Sequence, residues 1–138
     1  MTGSHDGSGT QADPWRLNTP PGNSEFEAWR DEAATPPALV VQVKSTQLRY
    51  QLRCIDDLHA MLKSYGDWIA LGNADEGKDA AEGSVEAWGR SESNPVGGWY
   101  GMKKGLRGRF GNYVPPVLEA LGLAEVEHNP RNNRMRAK

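Results

Sequence analysis

ALVVQVKSTQLRYQLRCIDDLHAMLKSYG, residues 38–66, carries two periodicities in succession. Leu39, Val41 and Val43 alternate with Val40 and Gln42, and after Lys44, Ser45, Thr46 and Gln47 the alternation resumes as Leu48, Tyr50 and Leu52 against Arg49, Gln51 and Arg53. A period of two sends successive side chains to opposite faces of a strand, so the stretch predicts an antiparallel hairpin over 39–53 with Arg49, Gln51 and Arg53 on its polar face. From Asp56 the period changes. Leu58, Met61, Leu62 and Tyr65 fall on one face of a helix over 56–65, with Asp56 placed to cap it and Gly66 placed to end it in the left-handed conformation. A hairpin running directly into a helix points to the α+β class.

Working outward, Pro20, Pro21 and Gly22 predict a turn, and Ser24 is placed to cap a short helix over 25–32 that Pro36 and Pro37 forbid from continuing. Residues 1–13 hold mostly small and polar side chains without apolar periodicity, which reads as a disordered tail and leaves 14–138 as one domain. Downstream, Trp68, Ile69 and Leu71 predict a short strand, 72–83 an acidic loop, and 85–88 a second strand. A helix starting at Pro115 or Pro116 places Val114, Val117, Leu118 and Leu121 on one face, with Gly122 as its stop. Residues 123–127 then alternate as a strand, 129–132 turn, and 134–136 return. The expected architecture is a single α+β domain of short helices packed on small antiparallel hairpins, closed by a C-terminal helix and a wing-like hairpin.

The 138 residues include one cysteine, Cys54, and three histidines, His5, His59 and His128, far apart along the chain. An internal disulfide is excluded, and so is a zinc site of the usual ligand spacing, so no metal or cofactor is expected. No window approaches the roughly 18 apolar residues of a membrane span, and the N-terminus lacks the apolar core of a signal peptide, so a cytoplasmic protein with no membrane partner is expected. Asp56, Asp57 and His59 lie close together, but two acids at a helix start serve capping and the helix dipole. Cys54, beside a hydrophobic strand, reads as a small buried residue. No catalytic set emerges.

Charge divides the chain. Residues 1–98 hold 8 Lys+Arg against 15 Asp+Glu, whereas 99–138 hold 8 against 3, so the two parts carry minus 7 and plus 5. The stretch 93–117 contains no acid, is punctuated by glycines, and interleaves Trp99, Tyr100 and Phe110 with Lys103, Lys104, Arg107 and Arg109. Basic groups beside flexible backbone suit phosphate, and aromatics suit base stacking; the structural alternative is that the glycines make turns while the aromatics fill a core.

The tail LEALGLAEVEHNPRNNRMRA, residues 118–137, resembles the recognition-helix end and wing of multiple-antibiotic-resistance-type winged-helix repressors. There the wing lays arginines on the DNA backbone, which implies phosphate contacts for Arg131, Arg134 and Arg136. The chain departs from that pattern where a reading helix needs polar side chains, because Val114, Pro115, Pro116 and Val117 stand there. Over about 120 residues, the stretches 55–59, 94–101 and 107–111 also resemble a family of small uncharacterised actinobacterial proteins, which implies one domain and carries over no catalytic residue. The expected function is a non-enzymatic binding protein that engages nucleic acid, another polyanion or an acidic protein through its basic C-terminal part. The rival is a small-molecule-binding domain or enzyme in which the Gly-rich basic segment walls an anion pocket. A third expectation is a protein-interaction module that docks by charge complementarity on itself or a partner, and the internal alternative has the basic part neutralised by Glu or Asp of the N-terminal part.

Overall fold

The computed structural model describes residues 7–75, 77–102 and 109–138. Four strands, β1 (Trp15–Asn18), β2 (Glu25–Asp31), β3 (Ala38–Val43) and β4 (Thr46–Gln51), form an antiparallel meander in sequence order. Helix α1 (Cys54–Tyr65), strand β5 (Ile69–Ala70), helices α2 (Val85–Arg90) and α3 (Phe110–Ala120), and strands β6 (Ala124–Val126) and β7 (Arg134–Ala137) follow. The last strand is central in a second antiparallel sheet of order β5-β7-β6. Among the described residues, no helix is long and apolar enough to cross a membrane.

The β3–β4 hairpin forms where the alternation places it, with Leu39 opposite Tyr50, Val41 opposite Leu48, and a two-residue loop between Val43 and Thr46. Its inner face joins Trp15, Leu17, Phe26 and Ala28 in one core with Leu58 and Leu62 of α1 and Val114, Val117 and Leu118 of α3. The Phe26 and Tyr113 rings meet edge to face at 5.1 Å, which docks α3 on the meander. Helix α1 ends at left-handed Gly66, as its sequence predicts. It starts two residues early, however: Arg53 occupies the cap position, and Asp56 and Asp57 lie in the first turn rather than at the cap.

Three expectations are corrected. Residues 25–31 are a strand, not a helix. Glu25 and Glu27 alternate with Phe26 and Ala28 as well as any helix period fits them, and pairing on both edges with β1 and β3 decides between the two readings. Residues 85–90 are a helix, not a strand, because the Ser84 hydroxyl accepts the Ala87 N–H and opens a helical turn. Helix α3 begins at Phe110, five residues before the prolines, which lie buried within it. Pro115 and Pro116 each remove one helical hydrogen bond, and the helix persists because this face lies in the core. Its end is a Schellman motif, with Gly122 N–H donating to the Glu119 carbonyl and Leu123 N–H to that of Leu118.

Part of the stretch read as a tail also folds. The Arg30 N–H donates to the Gly9 carbonyl at 2.9 Å, and Gly9 packs so closely on Trp15 that a Cβ there would lie 2.3 Å from the indole.

The start of α3 is set by Glu86. Its carboxylate is fully buried, accepts the Gly111 N–H at 2.8 Å, and pairs with Arg90 at 3.1 Å. Arg90 in turn donates to the carbonyls of Lys78 and Ala74, which fastens the 72–83 loop to α2. Burial pushes the Glu86 carboxyl above its usual value, and the Gly111 N–H and the Arg90 charge pull it back only in part.

Two measurements test this packing. Leu58→Ala and Leu118→Ala each leave a cavity between helix and sheet and are expected to cost about 2–5 kcal/mol in denaturant unfolding. A carboxyl with a raised folded pKa holds its proton more tightly folded than unfolded, so its contribution is most favourable in acid and declines as pH rises through the folded value. Glu86→Gln is therefore expected to gain stability relative to the wild type as pH is raised from about 4 to about 7. Glu86→Ala, which strands Arg90 and the Gly111 N–H, is expected to lose about 3–5 kcal/mol at neutral pH.

Candidate binding cleft

Four of the seven basic residues singled out in the sequence lie among the described residues. Arg134 and Arg136 project from the same side of β7 and pair with carboxylates of the strand beside them, Arg134 with Glu127 at 2.8 Å and Arg136 with Glu125 at 2.9 Å. Both guanidinium groups also lie over the Trp68 ring, at 5.2 and 4.5 Å. Arg109, at the cap position of α3, pairs with Asp75 at 3.2 Å. Arg131 is exposed in the β6–β7 turn and has no ion pair among the described residues. Lys103, Lys104 and Arg107 lie outside the described residues.

The aromatic set is part of the core. Tyr100 and Phe110 are fully buried and stack on each other, Trp88 stacks on Tyr100, and Trp99 is half-buried against Tyr50. The Tyr100 hydroxyl donates to Asp57 at 2.8 Å, and burial, together with that carboxylate, raises its pKa. Tyr100 and Phe110 are closed off in the core, whereas Trp99 also lines a surface pocket beside Arg49 and Met102. Cys54 is buried, and loss of solvent raises its thiol pKa far above the reactive range, so it serves as core.

A cleft of about 640 Å³ opens instead where three loops and the start of α3 meet. One wall is the β1–β2 turn, with Pro20 and Pro21; the other is the β6–β7 turn, from Pro130 to Arg134; Leu71 and the start of α3 make the floor. Local bonds fix each wall. Gly22 N–H donates to the Thr19 carbonyl and closes the first turn. The buried Asn133 side chain spans the second, donating to the Asn129 carbonyl at 2.9 Å and accepting the Asn129 N–H at 2.6 Å. The Leu71 N–H then donates to the Asn133 carbonyl, which ties the floor to that wall. Gly72 turns the chain out of the floor at a φ of 62°, against Ser84, where a Cβ would lie 2.2 Å from the serine side chain.

Within this cleft, the side-chain amides of Asn73, Asn112 and Asn132 and the Arg131 guanidinium have no hydrogen-bond partner among the described residues. Arginine is the only ionisable type among the described lining residues, so the chemistry on offer is hydrogen bonding and charge, with no proton donor or acceptor near neutrality. Among the described residues, no three His, Cys, Asp or Glu side chains gather as metal ligands would. Sequence reasoning found Arg131 and the turn that carries it. It missed Asn73 and Asn112, which lie in different elements and share no spacing signal.

The pairing of the β7 arginines has a measurable consequence. Replacing both Arg134 and Arg136 with alanine is expected to lower the melting temperature only slightly at low salt and less at about 0.5 M salt, because exposed ion pairs are weak and screened. A large loss would mean that they support the core.

No curated protein and no solved structure matches the chain. The model of the family of unknown function DUF6855 does match, over residues 7–138, which takes in both sheets and all three helices, and the chain belongs to that family.

Proposed function

We propose that the protein is a cytoplasmic, non-enzymatic binding domain whose recognition surface is the cleft between the β1–β2 and β6–β7 turns, and that it takes an extended peptide segment bearing a carboxylate. The observation that carries this reading is the convergence of three amides and one guanidinium that the fold leaves unpaired among the described residues. An asparagine amide offers a donor and an acceptor in one plane, as a peptide group does, so each can pair with an extended backbone through two hydrogen bonds. Arg131 presents the parallel donors that match a carboxylate. The proline walls add rigid apolar contact, and the volume lies in the range of ordinary ligand sites. The buried free thiol of Cys54 agrees with a cytoplasmic setting.

A second reading, nucleic-acid binding, is favoured by one feature. The run α1, β5, α2, α3, β6, β7 with the last strand central follows the element order of the winged-helix readers that the tail resembles. Against it, α3 is buried along most of its length, and Arg134 and Arg136 already pair with glutamates. A groove-reading helix must expose a polar face.

The test is a titration of isotopically labelled protein with a pool of random acidic hexapeptides and, separately, with duplex DNA. The peptides are expected to shift the side-chain amide signals of Asn73, Asn112 and Asn132, with affinity lowered about tenfold in Arg131→Ala. Peptides that leave these signals unmoved would overturn the proposal. Duplex binding at about 50 mM salt that falls steeply as salt rises would replace it with the second reading.

A further inference from the structure

His128 joins the two turns that wall the cleft. Its Nδ1 lies 2.9 Å from the Pro20 carbonyl oxygen in the β1–β2 turn, and its Nε2 lies 2.6 Å from a Glu119 carboxylate oxygen on α3. His128 itself belongs to the segment between β6 and β7 that leads into the opposite wall. The single side chain thus joins the meander, the last helix and the C-terminal hairpin.

Both partners are acceptors. A carbonyl oxygen has no proton to give, and neither has an ionised carboxylate, whereas a neutral imidazole has only one N–H. Both bonds can therefore exist together only when the ring is imidazolium. On deprotonation the remaining N–H stays with the charged Glu119, the stronger acceptor, and the Nδ1 lone pair then faces the Pro20 oxygen. Two lone pairs 2.9 Å apart repel, and the β1–β2 turn loses its hold on the hairpin.

We infer that His128 is a pH-dependent latch across the cleft, which holds the Pro20–Pro21 wall to the C-terminal hairpin when protonated and releases it when neutral. That release alters ligand access rests on the reading of the cleft as a binding site; the latch itself does not.

The surroundings set the direction. Burial alone lowers the His128 pKa, but the Glu119 hydrogen bond, the Pro20 carbonyl and the Glu119 charge together raise it. Glu119 is the one charged partner facing the ring from α3, the β1–β2 turn supplies a carbonyl dipole, and Glu127 beside it on the hairpin is taken up by Arg134 at 2.8 Å. A histidine with a raised folded pKa contributes stability that is complete below its unfolded value, about 6.5, and disappears as pH rises through the folded value. The latch is closed in acid and opens on the alkaline side.

The experiment follows ring and backbone signals of the full chain by NMR from about pH 5.5 to about pH 9. The His128 ring is expected to titrate above its ordinary value, and the backbone amides of Gly22 and Asn23 to move with the same midpoint. Glu119→Gln, which leaves a neutral partner at the same position, is expected to weaken proton binding by His128 roughly tenfold. His128→Gln is expected to abolish the pH response of the β1–β2 turn while the rest of the spectrum stays folded. A ring that titrates at or below its ordinary value, or turn amides that stay still while it titrates, would overturn the latch. Peptide affinity measured across the same range separates the two claims: turn amides that respond while no acidic peptide binds uphold the latch and refute the binding site.

Discussion

The buried carboxylate of Glu86 is the point at which the second half of the molecule is assembled. It accepts the Gly111 N–H where α3 begins and pairs with Arg90, whose remaining donors reach the carbonyls of Ala74 and Lys78. One charged pair thus sets where α3 starts, how α2 lies against it, and where the loop after β5 runs. Neither charge would be tolerated in the core alone, and together their donors and acceptors are used on backbone that no regular secondary structure satisfies. The floor of the cleft is the product, since Leu71, Gly72 and Asn73 lie between the second sheet and this clamp.

Part of the basic charge of the C-terminal segment is paired within that segment. Its three carboxylates, Glu119, Glu125 and Glu127, each take a cation from the same part: His128, Arg136 and Arg134. Strand register explains it, because Glu125 stands opposite Arg136 across the β6–β7 pair and cross-strand neighbours on one face are within reach. Arg109 pairs instead with Asp75 of the acidic loop, and Arg131 has no ion pair among the described residues.

Cleft and latch share their parts. The walls come from two turns that carry prolines, Pro20 and Pro21 in one and Pro130 in the other, and His128 links one wall to the last helix. Prolines make each wall stiff, so displacement is concentrated where the walls are joined, by the His128–Glu119 pair. The proposed recognition by amides would suit the proposed latch, because amide hydrogen-bonding capacity does not change with pH while the geometry that aligns it does.

Local periodicity by itself determined the class of the fold, the β3–β4 hairpin, the body of α1 with its end at Gly66, the end of α3 at Gly122, and the C-terminal hairpin. Each is written in neighbours: alternation across a strand, a repeated helical face, or a glycine where the backbone must turn left-handed. Tertiary structure decided the rest. The segment from Glu25 to Asp31 satisfies helix and strand periods alike, and pairing on both edges chose the strand. Ser84 could cap a helix only if the chain turned there, and α3 reached back past Pro115 because Glu86, 25 positions away, accepted the N–H at its start. Arg134 and Arg136 read as free cations until register placed glutamates opposite them, and Tyr100 and Phe110 read as stacking rings until the core closed over them. Asn73, Asn112 and Arg131 converge only in space. Contacts between distant residues have no period, so the sequence carries the elements of this protein while its site and its charge balance exist only once those elements are packed.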